Sequence, residues 1–104
     1  MSEYYTQFDN IFFEKTRLSM MTILFKEEKC SFNRLKDLMR LTDGALYTHL
    51  EKLIKEDYLE KKKELVGTQV QTIYFLTNKG KEVFKKYIQF LEEMILQNKS
   101  GGNE

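Results

Sequence analysis

Residues capable of covalent or metal chemistry are scarce in this chain. There is one histidine, His49, and one cysteine, Cys30, far apart in sequence. A metal centre takes several His, Cys or carboxylate ligands at close spacing, and a nucleophile needs a base with an orienting partner. One thiol and one imidazole cannot supply either set, so the chain is not expected to be an enzyme or to hold a metal or cofactor. Cys30 has no partner for an internal disulfide and reads as a small buried thiol at a helix end. The remaining chemistry is that of binding.

The overall charge is not informative. Seventeen basic residues against sixteen acidic give +1. Distribution matters more than the sum. Residues 1–30 carry four basic and five acidic groups, while residues 31–63 carry eight basic and six acidic. Lys79, Lys81, Lys85 and Lys86 fit a solvated lysine-rich face better than a site.

The elements that must position any binding residues follow from pattern. With 104 residues, 41% apolar and 32% charged, the chain has the composition of one globular domain, expected over 1–97. No apolar run is long enough for a membrane span, and the N-terminus lacks the order of a signal peptide, so a cytoplasmic location and no membrane partner are expected. Proline is absent, so helices can run unbroken. A first helix is predicted from about Tyr5 to Glu27, with Leu18, Met21, Leu24 and Phe25 as its stripe. Asp9 or Asn10 could cap it. Cys30 to Asn33 is a break, and Ser31 and Asn33 both suit an N-cap. A short helix should follow, with Leu35, Leu38 and Met39 inward. Thr42 caps the next, Asp43 favours its positive end, and Leu41 and Leu46 form a hydrophobic staple. That helix should run to about Glu56 on a stripe of Leu46, Leu50, Leu53 and Ile54.

Residues 59–66 and 70–76 favour strands, and Gly67-Thr68-Gln69 can turn the chain, giving a hairpin. Thr77 then caps a last helix through about Gln97, with 98–104 as a disordered tail. Its apolar band, including Val83, Phe84, Tyr87, Ile88, Phe90, Leu91, Met94 and Ile95, is wider than one core contact requires and suggests a partner helix. The fold class is mainly α with a small β-hairpin wing: a winged helix-turn-helix with long terminal helices, the helix-turn-helix at about 31–57 and the wing at about 58–76. On a helical wheel Gly44, Thr48, Lys52 and Lys55 point away from the core, Ala45 and Tyr47 flank them, and His49 sits at the margin of the buried stripe.

The stretch Ser31-Phe32-Asn33-Arg34-Leu35-Lys36-Asp37-Leu38, with Leu41-Thr42-Asp43-Gly44-Ala45-Leu46-Tyr47-Thr48-His49-Leu50-Glu51-Lys52-Leu53, resembles the short winged-helix transcriptional regulators of the MarR and ArsR groups. The continuation Tyr58-Leu59-Glu60, Val66-Gly67 and Thr72-Ile73-Tyr74-Phe75-Leu76-Thr77-Asn78-Lys79-Gly80 is similar to the wing and the Leu-Thr-x-x-Gly entry to the last helix. The resemblance spans about residues 15–90 and rests on order and spacing together. It implies a homodimeric regulator of double-stranded DNA that usually represses. Its second helix would enter the major groove, with Gly44, Ala45, Tyr47 and Thr48 toward base edges. Ser31, Asn33, Arg34, Thr42, His49, Lys52, Lys63, Thr68 and Gln69 would meet the backbone. Dimerisation would use Tyr5, Phe8 and Phe12 of the first helix and Tyr87, Phe90, Leu91, Met94 and Ile95 of the last.

The sequence departs from that pattern twice. The wing tip, Gly67 to Gln71, carries no charge where family wings often carry Arg or Lys. Ala45 and Tyr47 stand where relatives tend to have small polar residues; Tyr47 could stack, meet a thymine methyl or pack on the wing. Some residues keep two readings. His49 suits a DNA contact or a half-buried structural role. The aromatics Tyr4, Tyr5, Phe8, Phe12 and Phe13 suit a core or dimer seam better than a small-molecule effector pocket. The uncharged tip and near-neutral balance also fit a winged-helix module that binds protein instead of DNA.

Overall fold

The structure, a computed structural model, describes residues 14–102, and side chains as far as Gln97. Tyr5, Phe8 and Phe12, and the expected start of the first helix, lie outside the described residues. Helix α1 (Lys15–Glu27) begins at Glu14, whose carboxylate accepts from the Arg17 N–H at 3.0 Å. Arg17, Met20, Met21 and Leu24 form its buried face, the i, i+3, i+4, i+7 positions of one stripe. Phe25, expected on that stripe, lies at its edge, 39% exposed, with its ring against Phe84 at 4.8 Å.

The chain leaves α1 through Glu28 at φ 70° and forms strand β1 (Lys29–Ser31), where the sequence predicted only a break. Ser31 then caps helix α2 (Phe32–Met39) by accepting from the Arg34 N–H at 3.1 Å; Asn33 stands inside the helix. Leu35 is fully buried, but Leu38, expected inward, is 46% exposed. Phe32, Leu35 and Met39 face the core at i, i+3 and i+7, leaving Leu38 roughly a quarter turn away. Arg40 closes α2 in the left-handed region at φ 55°. An ion pair of 2.7 Å between Lys36 and Asp43 spans the turn. Thr42 caps helix α3 (Asp43–Lys55), accepting from the Ala45 N–H at 3.2 Å. Leu46, Leu50 and Leu53 of α3 are fully buried, as expected.

Strands β2 (Leu59–Val66) and β3 (Gln69–Leu76) form the hairpin, turned by Gly67-Thr68 with Gly67 at φ 64°. Strand β1 pairs with the other side of β3, so the sheet is three-stranded and antiparallel in the order β1-β3-β2. Helix α4 (Asn78–Gly102) extends into the stretch assigned from composition to a tail. Its entry is tightly held. The Thr77 hydroxyl accepts from the Gly80 N–H at 2.9 Å and donates to the Asp57 carbonyl at 2.6 Å, while the Thr77 N–H donates to the Tyr58 carbonyl at 3.0 Å. A Cβ at position 80 would overlap the Tyr58 carbonyl oxygen, which gives the Thr-x-x-Gly spacing its physical reason. One core, including Met20, Leu24, Leu35, Leu50, Leu59 and Phe84, joins all these elements.

Candidate nucleic-acid interface

The outer face of α3 lies open. Gly44, Tyr47, Thr48 and Lys52 are exposed, and Ala45 is half-buried. A Cβ at Gly44 would meet nothing within 4 Å, so packing does not require the glycine. The Thr48 hydroxyl donates back to the Gly44 carbonyl at 2.9 Å and keeps its lone pairs outward. Lys52 carries no ion pair among the described residues.

Toward the other side α3 meets α1. His49, named above for a backbone contact, turns there: its Nδ1 lies 3.1 Å from Nη1 of Arg17 and 3.9 Å from the Glu14 carboxylate. The Arg17 guanidinium can only donate, so Nδ1 of His49 is the accepting atom in this contact. The residue is therefore a structural link between helices. Arg17, a cation in the buried stripe of α1, was the sequence signal for such a partner.

Arg34 is also committed elsewhere. Its guanidinium makes a forked pair with Glu27 at 2.7 and 2.8 Å, which holds the Glu27 carboxyl below its ordinary range. Ser31 and Thr42 both accept from backbone N–H groups as helix caps, and Thr42 and Asn33 are exposed.

The wing continues the α3 face. Lys61 donates from Nζ to Oε2 of Glu51 at 2.9 Å, and this bond raises the lysine's pKa. The same ammonium lies 5.7 Å from the Tyr47 ring centroid. A cleft between α3 and the wing is lined by Phe32, Tyr47, Thr72, Tyr74 and lysines 61–63. Lys63 is exposed with no ion pair among the described residues, and Thr68 and Gln69 are exposed at the tip. The Lys62 ammonium lies over the Phe75 ring and shares Glu64 with Lys29. The Lys61–Glu51 pair was invisible in sequence, because ten residues and a change of element separate its members.

The expected dimer positions on α4 divide. Tyr87 and Phe90 are half-buried against this chain's own core, with ring centroids 6.3 Å apart. Met94 is half-buried, and Leu91 and Ile95 are exposed. Ile88, part of the apolar band expected to meet a partner helix, and Leu96, outside it, are exposed beside them. Cys30 is buried, and burial pushes its thiol up to about 11, with Glu27 adding to the rise. No group of three metal-ligating side chains occurs among the described residues, and no helix among them is long and apolar enough to cross a membrane.

Comparison with known proteins matches residues 16–95 to a family model described as a winged helix DNA-binding domain. An uncharacterised protein of Methanocaldococcus jannaschii is 42% identical over 78 residues, covering 75% of this chain and 85% of that protein. A transcriptional regulator homologue protein from Pyrococcus horikoshii has a similar structure, with a TM-score of 0.80 at 24% identity over 91% of this chain and 95% of its own. Bacillus subtilis PadR, solved in complex with operator DNA, has a TM-score of 0.62 at 17% identity over 72% of this chain and 47% of its own.

Proposed function

Because the chain belongs to the winged helix DNA-binding domain family, we propose that it is a sequence-specific regulator of transcription, a homodimer that sets α3 in the major groove of double-stranded DNA. That family, like the fold neighbours, is one of DNA-binding regulators and not of enzymes. The observation that carries the reading is the open face of α3. Gly44, Tyr47, Thr48 and Lys52 are exposed together, and none is needed by the core. An α-helix fits the major groove, and its outward side chains meet base edges there. Thr42, Asn33, Lys52 and Lys63, all exposed, would meet phosphates beside it. Exposed Ile88, Leu91, Ile95 and Leu96 on α4 support a second copy as partner. Two copies related by a two-fold axis would read half-sites about 34 Å apart. Such a dimer represses by occupying its operator, acts in the cytoplasm, and uses no cofactor; no effector is assigned to it.

The test is selection of bound duplexes from a random pool, followed by anisotropy of the winner across a salt series. An inverted repeat and an affinity that falls steeply with salt are expected. A second reading, a protein-binding winged helix, is favoured by the uncharged wing tip and by the lysines tied up in ion pairs. Recovery of no motif, with weak binding even at low salt, would favour it instead, and a protein partner burying the α3 face would establish it.

A further inference from the structure

The open face of α3 carries an acid. At about 100° per residue, Gly44, Thr48, Glu51 and Lys55 fall within roughly 60° of arc around the helix. Gly44, Thr48 and Lys55 are exposed and Glu51 is half-buried. Glu51 thus shares the face of Gly44 and stands about 10 Å further along it, at ~1.5 Å per residue.

A carboxylate in that place works against DNA unless its charge is met, because phosphates repel it. Lys61 meets it from the wing, with Nζ donating to Oε2 at 2.9 Å. The same ammonium stands 5.7 Å from the ring centroid of Tyr47, one turn before Glu51 on α3. Oε2 is taken, whereas no bond to Oε1 occurs among the described residues. The two side chains are 42% and 35% exposed, so their pairing adds little to stability. What it produces is a charge-balanced acceptor, held at one oxygen and open at the other.

An open acceptor on a reading face selects among bases. In the major groove thymine presents O4, and guanine O6 and N7, all of them acceptors that meet a carboxylate lone pair to lone pair. Adenine offers its 6-amino group beside the N7 acceptor, whereas cytosine offers its 4-amino group beside a C–H. We propose that Oε1 of Glu51 accepts from the cytosine 4-amino group in the major groove. Glu51 is then a specificity-determining residue, and Lys61 is the positioning residue that holds its other oxygen. The inference rests on the DNA-binding reading above and names a base that α3 selects.

The experiment uses the full chain and the duplex recovered from the random pool. Each C·G pair of a half-site is changed in turn to T·A, A·T or 5-methylcytosine·G. 5-Methylcytosine carries the methyl group of thymine but keeps the 4-amino group. At one position T·A and A·T should each weaken binding about tenfold, while 5-methylcytosine·G binds within about twofold of C·G. The variant E51Q keeps the size of the side chain at a partly exposed position. Its amide accepts from cytosine in one orientation and donates to thymine in the other, so it should bind the C·G and T·A duplexes within about twofold of each other. K61M leaves the carboxylate uncompensated, and the preference for C·G over T·A should shrink severalfold, a change that a merely structural link would not cause. A parent with no such C·G position overturns the inference. So does an E51Q variant that discriminates like the parent, which would leave Glu51 as an anchor for the wing. K61M with the parent's preference overturns the role given to Lys61. Binding to no duplex overturns the DNA-binding reading and this inference with it.

Discussion

Lys61 of the wing donates from Nζ to Oε2 of Glu51 on α3 at 2.9 Å, a bond that ties the two elements together. Both groups are partly solvated, with side chains 42% and 35% exposed, so the pair contributes little to stability. In the proposed complex its effect falls on the surface that would face DNA. It places a carboxylate beside the path of the phosphates and takes one lysine out of use, while holding that ammonium near the Tyr47 ring.

Replacing Glu51 with Gln removes the carboxylate and frees Lys61. DNA affinity should rise, and the slope of log K against log salt should steepen by about one. Anisotropy titrations at several salt concentrations measure both. An unchanged slope would mean that Lys61 remains away from phosphate even when released.

Gly44 separates packing from recognition. Its position is open, so Gly44→Ala adds helix propensity at no steric cost. Stability in urea should increase by up to about 1 kcal/mol. DNA affinity should fall, because the added methyl keeps the helix from a close approach to the groove floor. A gain in stability without loss of binding would move the contact further along α3.

His49→Ala should act through the fold. It removes the acceptor that faces Arg17. A loss of about 1–2 kcal/mol in urea unfolding is expected for a partly buried bond of this kind. The salt slope of DNA binding should be unaltered, whereas loss of a phosphate contact would lower it by about one.

Cys30 sets an alkaline limit. Burial raises the folded thiol from an ordinary value of 9.0 to about 11. Between these values the unfolded chain has released the proton and the folded chain has kept it. Stability is therefore intact below the unfolded pKa and is lost as pH rises toward the folded one. Between about pH 9 and 11 the parent should lose up to about 2–3 kcal/mol more than Cys30→Ala does, measured by urea unfolding across pH. Alkylation of the thiol should likewise require unfolding.

Local chemistry made much of this fold legible in sequence. Thr42 and Thr77 cap the helices they were expected to cap, and Ser31, one of two candidates with Asn33, caps α2, because an N-cap depends on a side chain and a backbone donor only a few residues apart. The hairpin was legible for the same reason: strand-favouring runs flank a glycine turn. Strand β1 was not, since its three residues are too few to show alternation and its partner lies in β3. Leu38 misled because apolarity does not fix which side of a short helix is covered. The site was legible as a helix face but not as a set of free charges. Arg34, Lys36 and Lys61 are basic in sequence, yet each meets a carboxylate that only the fold brings near.

The hydroxyl of Thr77 has a mechanical consequence. It grips the carbonyl of Asp57 just past the end of α3 and the first turn of α4 at once, and its own N–H holds Tyr58 at the root of the wing. Reading helix, wing and long terminal helix thus share one rivet, with the missing side chain of Gly80 as clearance. Three hydrogen bonds through one residue fix the start of α4 against both the end of α3 and the root of the wing.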